Sequence, residues 1–214
     1  MSPSTAGAAT RWRDRVQATD WDSVRTELDG YGCALTGRLL DAGETAEIAA
    51  LYTDDSRFRS TVDMGRYRFG QGEYRYFAEP FPDAVVALKQ ALYPRLLPIA
   101  RDWWGRLGRP TPWPDTLPEW LEMCHTAGQQ VVINLNDPGV DHTGGEFLLY
   151  EQRPRAQSRA TATVIPHGCG LVFTTRDRPV QSTRGWSAAP VRHGVSVIRS
   201  GQRFTLGLVF HDAA

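Results

Sequence analysis

The 214-residue chain has no excess of either charge, with 24 lysines and arginines against 24 aspartates and glutamates. That balance removes the long-range field that gathers polyanions, so nucleic acid is not expected as a structural partner, while a local patch for a nucleic-acid substrate stays open. Cysteine is scarce. The three thiols, Cys33, Cys124 and Cys169, are far apart and odd in number, which argues against a disulfide framework and for a reducing cytoplasm. No apolar run approaches the roughly 20 residues of a membrane span. The opening MSPSTAGAATRWRD also lacks the apolar stretch of a secretory leader, so a cytoplasmic protein without a membrane partner is expected. Internal repeats are absent. Low complexity is confined to residues 1–10, which are expected to be disordered, with order from Arg11.

A chain that is 41% hydrophobic can bury one sizeable core, and a single domain over residues 11–214 is expected. Its first part, 11–128, reads as helices and a hairpin. Asp20 is a good N-cap for a helix over 20–29, with Trp21, Val24 and Leu28 on one face and Gly30 beyond it. A short strand, CALTGRLL, leads to a second helix near Asp41 to Tyr52. The stretch RSTVDMGRYRFGQGEYRYFAE alternates around a glycine-rich turn at Gly70 to Gly72, as a β-hairpin does. A long helix from Pro82 to Leu107, bent near Pro94 or Pro98, is followed by a proline-stiffened connector from Arg109 to Pro118. A helix from Leu117 to Ala127, closed by Gly128, completes this half.

From residue 131 the pattern changes to six short strands: VVINLND, EFLLYEQ, SRATATVI, GLVFTT, GVSVIRS and RFTLGLVF. Separated by Pro, Gly and Asp turns, they predict a jelly-roll or barrel over 131–214, and with the flanking helices the class is α+β. Near the C-terminus His193 should open one strand, while Arg203 and Thr205 lie on the next after a turn at Ser200 to Gly201. Alternate residues share a face, so Arg203 and Thr205 point inward together if either does. An arginine inside a roll must meet an anion, because an isolated buried charge is very costly; a dicarboxylate would satisfy it bidentately.

The segments DPGVDHTGGEFLLYEQRPRAQSRA, GLVFTTRDRPVQSTRGW and RHGVSVIRSGQRFTLGLVFHDA resemble the C-terminal half of bacterial iron(II)/2-oxoglutarate oxygenases of the prolyl 4-hydroxylase-like branch. With the preceding helices the resemblance covers most of residues 20–214. It implies a double-stranded β-helix, Fe(II) as cofactor, 2-oxoglutarate as co-substrate and ascorbate as an accessory reductant. It also implies hydroxylase-type oxidation of a protein side chain or small molecule, coupled to decarboxylation of 2-oxoglutarate. By the same resemblance His193 matches the distal iron ligand, and Arg203, with Thr205, matches the site of the distal 2-oxoglutarate carboxylate. Tyr74 and Tyr76 would lie at a substrate mouth, although aromatics on a hairpin are more often packing residues.

One part of the pattern is missing. The family carries an HxD pair, the first two members of its 2-His-1-carboxylate triad, just before the strand matching VVINLND. No histidine here is followed two places later by aspartate, and Gln129 and Gln130 join blocks that a strand, an HxD loop and another strand separate in relatives. The reading is an internal deletion of that unit, leaving a poor iron site and an open sheet edge. His142, in His142-Thr143-Gly144, resembles the HxG of iron halogenases and is a second metal candidate. Its place after the matched strand favours a turn histidine. Cys124 and His125 are neighbours on a helix and point apart. Two functions follow: an iron(II)/2-oxoglutarate dioxygenase, or a non-catalytic remnant of that fold acting as a binding or interaction protein. A cupin-like protein would need a histidine cluster that the sequence does not contain.

Overall fold

Capping residues set where the N-terminal helices begin. In the computed structural model, which describes residues 5–66, 72–123, 129–152 and 157–210, the chain enters through α1 (Thr5–Gln17) and α2 (Trp21–Tyr31). The Asp20 carboxylate accepts from Ser23 N at 3.0 Å, and Gly32, at φ 84°, closes α2 by donating its amide to Leu28 O. Strand β1 (Cys33–Arg38) and helix α3 (Ala42–Ala50) follow. Asp41 and Glu44 cap α3 reciprocally, each side chain accepting from the other's backbone amide. Order is expected from Arg11, whereas α1 begins at Thr5; residues 1–4 lie outside the described residues. The alanine-rich start of α1 favours helix, and the buried Trp12 and Val16 anchor that helix in the core.

Strands β2 (Phe58–Asp63) and β3 (Glu73–Phe77) form the expected antiparallel hairpin. Most of its turn, residues 67–71, lies outside the described residues. Helix α4 (Asp83–Arg106) runs through both Pro94 and Pro98, and α5 (Leu117–Met123) follows the connector. The expected end of α5, with Cys124, His125 and Gly128, falls on residues 124–128 outside the described set. Among the described residues no helix is long and apolar enough to cross a membrane.

The C-terminal half supplies β4 (Gln129–Asn134), β5 (His142–Gly144), β6 (Phe147–Glu151), β7 (Arg159–Thr163), β8 (Cys169–Thr174), β9 (Asp177–Ser182), β10 (Gly185–Val195), β11 (Ile198–Gly201) and β12 (Thr205–Val209). They build two antiparallel four-stranded sheets, in the orders β1-β8-β4-β12 and β7-β6-β10-β9, plus a small β11-β5 pair. Cys33, Leu171 and Phe173 of the first sheet pack with Phe147, Leu149 and Val191 of the second, so the two sheets lie face to face. The other face of the first sheet, through Ala34, Val131, Ile133, Val172, Leu206 and Leu208, joins the larger core with α1, α2 and α4. Helices on one face of a two-sheet roll are the α+β jelly-roll class expected from the strand pattern.

Two expectations about strands need correction. The stretch 194–200 is not one strand: β10 ends at Val195 and β11 begins at Ile198, so His193 sits near the end of a strand and not at its start. The β9-β10 hairpin was not anticipated, because Pro179 and Pro190 interrupt its pattern. Proline is tolerated where it lacks a ladder partner for its missing amide. β9 is an edge strand, and Pro190 lies just before the part of β10 that ladders with β6, its carbonyl accepting from Gln152 N at 2.9 Å.

The first sheet ends at β12, which pairs with β4 and with no other strand among the described residues. Leu135 N donates to Phe204 O at 3.0 Å, which fixes the alternation of this ladder. Leu206 and Leu208 therefore hydrogen-bond to β4, while Thr205, Gly207 and Val209 turn their amides and carbonyls outward. Side chains alternate as well: Leu206 and Leu208 are buried on the helical face, whereas Thr205 and Gly207 on the roll face are exposed.

Candidate functional site: a cleft around Arg203

The GGEF and GVS motifs meet in space. Ser196 Oγ accepts from both Gly145 N and Glu146 N at 3.0 Å and donates to the Glu146 carboxylate. That hydroxyl holds Glu146 below the usual carboxylate range. Gly144 and Gly145 have φ of 75° and 77°, where a side chain is strained. A Cβ on Gly145 would also stand 2.8 Å from Arg203 Cδ. The second glycine of the motif thus lets the arginine stem lie against bare backbone.

Arg203 follows β11 and lines a cleft of about 290 Å³ together with Asn134, His142, Gly145 and Glu146. Burial pushes its guanidinium below the ordinary value, and the nearby Tyr74 phenol acts in the opposite direction. Among the described residues no carboxylate pairs with it. A desolvated cation with no carboxylate in ion-pair contact among the described residues is costly, and an arriving anion would offset that cost. The hairpin is anchored beside it: Tyr52 packs edge-on against Phe204 at 5.0 Å, and Phe58 stacks on Phe77 at 4.9 Å. Tyr74 is 54% exposed and electrostatically coupled to Arg203. Tyr76 instead lies under Arg59, 5.9 Å from its guanidinium carbon.

His193 is elsewhere. Its ring stands 4.9 Å from that of Phe173 and parallel to that of Phe147 at 6.2 Å, at the end of the core between the sheets. The outer edge reaches solvent, yet the phenyl walls desolvate the imidazole and push it below its ordinary value. It is not part of the lining of the Arg203 cleft. Thr205 is exposed on the roll face and does not line the cleft either, so of His193, Arg203 and Thr205 the cleft takes Arg203 alone. A break at Ser196 and Val197 separates β10, which carries His193, from β11, which precedes Arg203.

The histidine that lines the cleft with Arg203 is His142. It is 4% exposed, its Nδ1 donates to Gly144 O at 3.1 Å, and its Nε2 has no partner. Asn134, 1% exposed at the end of β4, spends both amide hydrogens on Asn136 O and Ile165 O, leaving Oδ1 without a partner. Asn134 was missed in the sequence. An amide inside the apolar run VVINL was the available signal, because buried polar residues are held for a reason.

An iron site needs several donors converging on one point. No group of three or more His, Cys, Asp or Glu side chains able to hold a metal forms among the described residues. His193, the ligand implied by resemblance, faces phenyl rings. The described residues do not fit an iron centre.

Comparison with known proteins adds a second line. The model of a family described as an oxygenase catalysing oxidative methylation of damaged DNA matches residues 72–130 and 129–213. The two blocks meet where Gln129 and Gln130 adjoin. Uncharacterized proteins from two strains of Mycobacterium tuberculosis are each 56% identical over 168 residues, taking in 64% of this chain and 72% of the relative. Since 64% of 214 residues is about 137, fewer than the 168 aligned, the gap opens on this chain's side. Among solved structures, a 2OG-Fe(II) oxygenase family oxidoreductase from Burkholderia pseudomallei aligns over 91% of this chain and 92% of its own, with 16% identity and a TM-score of 0.44. A prolyl-4-hydroxylase from Pseudomonas putida aligns over 90% and 100%, with 14% identity and a TM-score of 0.46.

Proposed function

We propose, from the premise that the chain belongs to the oxygenase family described as catalysing oxidative methylation of damaged DNA, that this copy keeps the co-substrate pocket of an iron(II)/2-oxoglutarate dioxygenase and lacks a working metal centre. The observation that carries the reading is Arg203: a desolvated guanidinium in a cleft, with no carboxylate partner among the described residues. A dicarboxylate such as 2-oxoglutarate supplies the missing counter-charge and can engage the planar fork with two hydrogen bonds. The absence of HxD, the two matched blocks meeting at residues 129–130 and the unpaired side of β12 all support loss of the strand-loop-strand unit that bears two ligands. The protein then acts as a single-domain cytoplasmic binding module of oxygenase fold.

Titration calorimetry with 2-oxoglutarate, beside succinate formation in the presence of Fe(II) and ascorbate, tests this. Binding that disappears in Arg203→Met, with no succinate above background, is the expected pair of results. Succinate produced in proportion to protein would sink the remnant reading and restore dioxygenase turnover, which the family match favours. Unaltered binding in Arg203→Met would sink the pocket.

A further inference from the structure

The wall of the Arg203 cleft is built for more than an anion. His142 Nδ1 is committed as a donor to Gly144 O, so in the neutral ring Nε2 is a bare acceptor. Both hydrogens of the Asn134 amide are committed as well, so Oδ1 is a second bare acceptor. Both residues are more than nine-tenths buried, and both line the cleft. The Glu146 carboxylate belongs to the same lining. Buried acceptors without donors are rare in native proteins and call for a partner that brings hydrogens. 2-Oxoglutarate offers only acceptors beyond its carboxylates. A hydroxyl offers one hydrogen, enough for one of the two orphans. An ammonium group offers three, and its charge is balanced by Glu146.

We infer that the cleft selects an α-amino acid of glutamate type, its ammonium group donating to His142 Nε2 and Asn134 Oδ1 and its carboxylate held by Arg203. The inference rests on the anion pocket proposed above and names the ligand class that pocket prefers. It also gives His142 a role other than metal ligation, that of a specificity residue.

The test is calorimetry on the full chain with four probes of one carbon skeleton: glutarate, 2-oxoglutarate, 2-hydroxyglutarate and glutamate. Glutamate is expected to bind at least about tenfold more tightly than glutarate, the equivalent of one good hydrogen bond. In His142→Phe and in Glu146→Gln that preference should shrink while glutarate affinity holds, a split that unfolding would not produce. Circular dichroism of each variant confirms the fold. Equal affinity for all four probes overturns the inference and leaves the Arg203 pocket standing, because the two acceptors then take no part in binding. Tightest binding of 2-hydroxyglutarate or 2-oxoglutarate overturns it too. Binding of none of the four removes both readings.

Discussion

The two faces of the β1-β8-β4-β12 sheet are held by different means. Toward the helices, Val131, Ile133, Val172, Leu206 and Leu208 are buried against α1, α2 and α4, so each strand is secured by apolar packing. Toward the roll, packing is concentrated near Phe147, Leu149 and Phe173 and fades to exposed Thr205 and Gly207 at β12. The opposing sheet leans on a polar latch. Buried Glu151 accepts from Arg178 Nε at 2.6 Å and from Arg159 at 3.4 Å, and the two arginines reach Asp29 O and Gly30 O at the end of α2. One side of this protein is thus a hydrophobic core and the other a thin core clamped by charge.

Glu151→Ala should cost most, about 3–5 kcal/mol by urea unfolding, because it strands a buried guanidinium. A loss below about 1 kcal/mol would mean that the latch does not secure the second sheet. Adjacent residues of β12 provide the sharpest contrast: Leu206→Ala should lose about 2–4 kcal/mol, while Thr205→Ala stays within about 0.5 kcal/mol. Equal losses would abolish the distinction between the faces. On the helical side, Asp41→Ala removes half of a reciprocal cap and should lower stability by about 1 kcal/mol. The Glu44 backbone amide holds the Asp41 carboxyl below the usual range. Its stabilisation is therefore present above the unfolded value near 4 and fades as pH falls through the lower folded value.

The smallest effect belongs to the roll. Because the phenyl walls depress the His193 imidazole, the unfolded chain binds the proton more readily. Stability should decline as pH falls through about 6.5, the ordinary histidine value. His193→Phe should flatten that part of the stability curve, measured as Tm between pH 7.5 and 5.5 in paired samples. An unchanged slope would show that the ring is hydrated on both sides.

Much of the architecture could be read from local pattern, because a strand with one buried face announces itself by alternation and a capped helix by its ends. GLVFTT became β8 and Asp20 became an N-cap for that reason. What escaped depended on distance. The prolines of β9 and β10 look like breaks until their places at a sheet edge and at the end of the β6 ladder are known, and Asn134 looks like an interruption until Ile165 O lies 2.9 Å away. In the sequence Arg203 and His142 could each be singled out by resemblance, but their sharing of one cleft could not. His142 comes to the cleft through the β5-β11 pairing, which sets it opposite Gly201, and a pairing of strands so far apart in the chain leaves no local mark in the sequence.

The single-sided pairing of β12 has a kinetic consequence. Leu206 and Leu208 lend their amides to β4, while those of Thr205, Gly207 and Val209 face away from it. In deuterated water the strand should label at every second residue, its outward protons exchanging early and its inward ones surviving until the β4 ladder opens. A five-residue strand would then report, one amide after another, which side of the sheet is closed.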